Sequence, residues 1–97
     1  MRIDFDIIQC RAAIKHYGRA HQAKKAMEEL SECIAAIARA DDAAENKEQL
    51  IEEMADVLVM FRQLQIIYGI TDDDLQRLVE YKQMRCRDYI INDLAGL

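Results

Sequence analysis

The stretch Glu28-Glu29-Leu30-Ser31-Glu32, answered further along by Glu53-Met54-Ala55-Asp56, decides how this chain reads. Both segments lie inside long helical patterns. At about 100° of rotation per residue, Glu28, Glu29 and Glu32 share an arc of about 100°, and Met27, Leu30, Ile34 and Ile37 take roughly the opposite arc. Glu53 and Asp56 are three apart, so they are neighbours on one helix face. If the two helices pack side by side, five carboxylates converge. Like charges that close repel, and each raises the pKa of the next. A divalent cation relieves the repulsion, and an all-oxygen ligand set suits Mg²⁺, with Mn²⁺ as a substitute.

Outward from these acids the chain reads as four helices. The first is expected from about Asp4 to Tyr17, with Ile7, Ile8, Ile14 and Tyr17 at helical spacing. Gly18 either stops it as a C′ residue or bends the chain. The second runs from about Arg19 to Ala40, and Asp41 to Glu45 is a short polar connection. Asn46 with Gln49 resembles a capping box for the third helix, which runs to Tyr68 before Gly69. Its apolar positions are Leu50, Met54, Val57, Leu58, Phe61 and Leu64. Thr71 with Asp74 is a second capping signal, and Ile70 with Leu75 fits a hydrophobic staple. The fourth helix then reaches about Leu94. The expected fold is all-α: a single domain, 1–97, forming an antiparallel four-helix bundle completed by oligomerisation.

Composition agrees. The 97 residues include no Pro and three Gly, which favours long helices. A chain this short buries a modest core and gains from association with copies of itself. The net charge of −5 argues against a nucleic-acid polymer as partner, since such binders carry a basic stripe. It is compatible with a nucleotide, because a bound metal would supply local positive charge. No apolar run approaches membrane-spanning length. Cys10, Cys33 and Cys86 have neither zinc nor CxxC spacing, so reduced thiols in a cytoplasmic protein are expected.

Each acid has a plain alternative, a solvated helix face. Glu53 weighs against it, because it sits beside Val57, Met60 and Leu64 at the margin of an apolar arc. A carboxylate there is partly buried and needs a partner. Ala35 and Ala36 leave room beside the acids of the second helix. On the fourth helix, Lys82 falls on the apolar stripe of Leu75, Leu78, Val79, Cys86, Tyr89 and Ile90. It either snorkels at the bundle edge or directs its ammonium toward the carboxylates or a bound phosphate. Arg85 borders the same stripe, and a guanidinium can hold phosphate oxygens bidentately. Competing motifs fail: no Glu-x-x-His for a di-iron bundle, no calcium loop around Asp72-Asp73-Asp74 and no glycine-rich phosphate loop.

Glu28-Glu29-x-x-Glu32 followed by Glu53-x-x-Asp56 resembles the EExxE…ExxD signature of the MazG-like, all-α nucleoside triphosphate pyrophosphohydrolases. The resemblance covers most of the chain. It extends to Tyr17-Gly18-x-x-x-Gln22, to Lys25-Ala26-Met27 and to the run from Asp56-Val57-Leu58 through Tyr68-Gly69-Ile70-Thr71. It implies a Mg²⁺-dependent enzyme that cleaves a nucleoside triphosphate between the α and β phosphates, giving the monophosphate and pyrophosphate. It implies metal ligation by Glu29, Glu32, Glu53 and Asp56, with Glu28 as a further ligand or water-positioning base. It also implies a homodimer or homotetramer with sites at or near the subunit contact. The chain departs from many such proteins after Lys82, where Gln83, Met84, Arg85, Cys86 and Arg87 follow and no Asn occurs until Asn92.

The expected chemistry follows from charge. Bare acids would repel a triphosphate, and bound Mg²⁺ reverses the local sign. Glu28 or Glu32 would take the proton of the attacking water, and Lys82 and Arg85 would stabilise charge on departing pyrophosphate. Close rivals are a dUTP- or dCTP-specific hydrolase and a phosphoribosyl-ATP pyrophosphohydrolase. A rival of another class is a non-catalytic helical interaction module, for which the acids would splay outward.

Overall fold

Helix α1 (Ile7–Tyr17), α2 (Arg19–Ala40), α3 (Lys47–Tyr68) and α4 (Asp72–Ala95) make up the computed structural model, whose described residues are 2–40 and 46–96. The fold is all-α, as expected. The polar connection expected at 41–45 lies outside the described residues.

Helix α1 starts three residues later than the pattern suggests. The Asp6 side chain accepts from the Gln9 backbone N–H at 3.0 Å, which makes Asp6 the N-cap and leaves Asp4 outside. Gly18 is the whole joint between α1 and α2. Its N–H donates to the Ile14 carbonyl at 2.8 Å, and its own carbonyl accepts from Gln22 at 3.1 Å. The backbone there has φ +94°, which L side chains rarely adopt, so glycine both stops one helix and starts the next. Gly69 ends α3 in the left-handed region at φ +66°.

The capping box at Thr71 and Asp74 is present in both directions, at 3.0 and 2.9 Å. The one expected at Asn46 and Gln49 is not. The Asn46 side chain makes no cap bond; its amide instead donates to the Arg39 carbonyl at 2.6 Å, tying the start of α3 to the end of α2.

Helices α2 and α3 pack antiparallel along their length, and α1 lies against both. Three cross-helix bonds set the register. Arg19 donates to the Ile67 carbonyl, Gln22 donates to Gln63 at 2.8 Å, and Asn46 meets Arg39. The seam advances in steps of three, four or seven residues: Gln22, Ala26, Glu29 and Ala36 are buried on α2, and Val57, Met60, Gln63 and Ile67 on α3. Ala26 and Ala36 are each 2% exposed, and their small side chains let the helices approach closely.

The face of α2 that turns inward is therefore the one carrying Glu29, with Glu28 and Glu32 exposed at its margins. The apolar arc of Met27, Ile34 and Ile37 faces out, with Ile34 68% exposed. Helix α4 packs against none of the other helices among the described residues. Its first turn is held by Asp72, which accepts from Arg62 at 2.7 Å and from Gln65 at 2.9 Å. Its apolar stripe, including Leu78, Val79, Tyr89 and Ile90, is left exposed.

Candidate metal centre

The register that places Gln22 on Gln63 carries on along the seam. Rising along α2 and falling along α3, it sets Glu29 opposite Asp56 and Glu32 opposite Glu53. One carboxylate oxygen each from Glu29, Glu53 and Asp56 lies within 4.8 Å of the others. Glu32 lies beside Glu53, and Glu29 beside Asp56. Four of the five expected acids thus meet, and they do not splay. Glu28 stands apart on the exposed side of α2, at the wall of an adjoining cleft.

Burial and mutual repulsion shape this cluster. The Glu53 carboxyl is pushed above the usual carboxylate range, first by burial and then by the charges of Glu32, Asp56 and Glu29. The Asp56 carboxyl is pushed up by burial and by Glu29, with Lys25 opposing. Glu29 is the most deeply set, its side chain 10% exposed. One oxygen of Glu29 accepts from Lys25 at 3.1 Å. The other, Oε2, has no partner among the described residues, and neither has Oε2 of Glu53. A buried carboxylate oxygen without a donor is costly, and two of them border one cluster.

The residues fit a hard divalent cation. Three carboxylate oxygens of the cluster lie within 4.8 Å of one another, near enough for side-chain rotation to bring them onto one small cation. Glu29, Glu53 and Asp56 would hold it, with Glu32 adjacent. The donor set is all oxygen and multiply charged, which suits Mg²⁺ or Mn²⁺.

Beside the cluster lies a cleft of about 440 Å³, walled by Tyr17, His21, Gln22, Lys25, Glu28 and Met60 among others. Tyr17 and His21 stack at 5.2 Å between ring centroids. His21 Nδ1 lies 2.8 Å from Gln22 Oε1, and the buried Gln22–Gln63 pair anchors that wall to α3. Lys25 belongs to both cleft and cluster. Its place was readable in part, since it stands four residues before Glu29 on the same face. The Gln22–Gln63 pair was signalled only by Gln63 standing in an otherwise apolar seam.

Lys82 and Arg85 are not brought to the acids within the protomer. Both are exposed on α4. Arg85 donates to the Tyr89 hydroxyl at 2.7 Å and lies over the Tyr81 and Tyr89 rings.

The chain is similar to phosphoribosyl-ATP pyrophosphatases of Saccharolobus islandicus. Those of strains L.S.2.15 and M.14.25 are each 38% identical over 72 residues, 74% of this chain and 71% of theirs. That of strain M.16.27 is 37% identical over 70 residues, 72% of this chain and 69% of its own. No family model matches the chain, and no solved structure matches it.

Proposed function

Because the chain belongs to the phosphoribosyl-ATP pyrophosphatase family, we propose that it is a metal-dependent pyrophosphohydrolase whose substrate is phosphoribosyl-ATP. It hydrolyses the bond between the α and β phosphates and releases pyrophosphate. The observation that carries this reading is the in-register meeting of the acids of α2 and α3 around two unpartnered carboxylate oxygens.

In this reading Glu29, Glu53 and Asp56 hold Mg²⁺, with Glu32 completing or supporting the set. The ion supplies charge neutralisation, polarisation of a phosphoryl oxygen and a lowered pKa for bound water. The protein does the rest. Glu28, on the cleft wall and outside the repulsive cluster, accepts the proton of the attacking water. The stacked Tyr17 and His21 rings offer a flat wall to a base.

We further propose that the site is completed by a second copy of the chain, as a homodimer or a pair of dimers. The protomer exposes 7984 Å², whereas a folded monomer of this mass exposes about 5700 Å². The excess, about 2300 Å², is what an obligate interface buries. The exposed apolar residues on α2 and α4 supply that surface, and α4 of one copy would bring Lys82 and Arg85 to the acids of another. Sedimentation velocity at micromolar concentration should show a dimer or tetramer, and a monomer would refute this assembly. Free thiols at Cys10, Cys33 and Cys86 and the absence, among the described residues, of a helix able to cross a membrane suit a cytoplasmic role, which we include in the proposal.

The test of function is a substrate panel with Mg²⁺ and with Mn²⁺: phosphoribosyl-ATP, the common ribo- and deoxyribonucleoside triphosphates, dUTP and dCTP. Phosphoribosyl-ATP should be turned over with the highest kcat/KM, yielding the monophosphate and pyrophosphate. Preference for an ordinary triphosphate would reassign the substrate. Release of inorganic phosphate and a diphosphate, or no turnover of any, would refute the reaction.

A further inference from the structure

Lys25 occupies a position that the proposed reaction leaves without a role. Its Nζ lies 3.1 Å from Glu29 Oε1, while Glu29 Oε2, on the same carboxylate, is buried and unpartnered at the edge of the acid cluster. The Lys25 side chain is 46% exposed and also lines the cleft. His21 stands one helical turn before it, and Glu28 and Glu29 one turn after it, so a single stem rotation carries the ammonium from the acids to the Tyr17–His21 wall. A lysine suits such a motion, being a mobile point charge rather than a fixed planar fork.

We propose that Lys25 is the resident counter-ion of the cluster, that a divalent cation displaces it from Glu29, and that the displaced ammonium turns into the cleft to meet the substrate's phosphates. The inference rests on the metal site proposed above and adds a residue to it. Without an ion, Lys25 is the cation paired with Glu29 beside Asp56 and Glu53. When a doubly charged ion reaches Glu29, ammonium and metal become like charges across one carboxylate, and the more exposed one gives way. Each substrate cycle then finds the ammonium at the side where anionic oxygens enter. Glu29 thus has a cation beside it at each stage, first the lysine and then the metal.

The test is Mn²⁺ binding to the full chain, followed by loss of the free-ion EPR signal, in wild type, Lys25→Met, Lys25→Arg and the remote control Lys15→Met. Lys25→Met should bind Mn²⁺ about tenfold more tightly than wild type, as expected for removing a partly screened like charge. Lys25→Arg should stay within about threefold of wild type by the same reasoning, and Lys15→Met should not differ. Lys25→Met should also turn over triphosphate more slowly despite its tighter ion. In wild type, Mg²⁺ should shift the Lys25 ¹³Cε resonance toward that of solvent-exposed lysines. That signal needs no variant, so it stands even if Lys25→Met fails to fold. Wild-type binding with no gain in Lys25→Met overturns the displacement while leaving the metal site intact. Tighter binding with wild-type turnover, or a ¹³Cε resonance indifferent to Mg²⁺, overturns the hand-over to the cleft. No binding in either protein overturns this inference and the metal site together.

Discussion

Replacing Glu53 by glutamine is expected to lower metal-dependent pyrophosphate release by at least about 100-fold, since even partners outside a metal's ligand set commonly cost 10–100-fold. The helical CD signal should survive. The two effects separate because Glu53 works against the metal-free fold. Burial and the charges of Glu32, Asp56 and Glu29 all disfavour its ionised form, so an uncharged amide of the same shape relieves repulsion and can donate a hydrogen bond to a neighbouring acid. The metal-free Glu53→Gln protein should therefore melt at a higher temperature than metal-free wild type, although it is inactive. A residue that stabilises when removed and abolishes activity when removed is held in place by function. Full activity in Glu53→Gln would remove it from the ligand set.

The second expected result is a melting temperature whose response to Mg²⁺ depends on pH. Carboxyls of the unfolded chain titrate near pH 4, and those of Glu53 and Asp56 titrate higher in the folded protein. Over the interval between, the folded state binds more protons than the unfolded one. Stability of the metal-free protein should then fall as pH rises through that interval. Asp72 and Asp74 act in the opposite sense. Asp72 is held below the usual range by Gln65 and Arg62, and Asp74 by Thr71 and Arg77. Their contribution is lost only as pH falls below about 4, so they do not slope the neutral range.

At the proposed site Mg²⁺ would bind the ionised cluster and so compete with protons. At pH 7.5 and fixed protein concentration, ion at 10–100 times its Kd adds about 1.4–2.7 kcal/mol. For a domain of this size that raises the melting temperature by roughly 5–15 °C. Near pH 4.5 the rise should nearly vanish. A rise that is equal at both pH values, or absent at both, would contradict a cation site built from these two acids.

How much of this was legible beforehand varies by residue. The acid spacing placed Glu29 and Glu32 on one face and Glu53 and Asp56 on another, and Glu53 was read as partly buried from its apolar neighbours alone. Thr71 and Asp74 were readable because a capping box is local and self-contained. Asn46 was not, because its amide found the Arg39 carbonyl on another helix, and no local pattern encodes that choice. The start of α1 was misplaced because Asp4 and Asp6 are equally good caps by type, and only the Gln9 bond separates them. Helix α2 posed the deeper difficulty. It carries one stripe of Gln22, Ala26, Glu29 and Ala36 and another of Met27, Ile34 and Ile37. Hydrophobicity alone would bury the second within the chain, whereas the protomer buries the first. The small alanines allow that close packing, and Glu29 follows them inward. For the same reason the stripe on α4 that carries Lys82 was visible, but not that its partner is absent from the protomer.

The pairing of Glu29 with Asp56 and of Glu32 with Glu53 was out of reach of spacing alone. It depends on the antiparallel register of α2 against α3, set by contacts at both ends of the seam. Once that register is known, each acid finds its opposite.

Crystals grown with Mn²⁺, with diffraction recorded at the manganese absorption edge, examine the site itself. An anomalous peak about 2.2 Å from oxygens of Glu29, Glu53 and Asp56, with Lys25 turned away from Glu29, is the expected result. Ion-loaded crystals with no peak between α2 and α3, either within a protomer or across a subunit contact, would contradict it.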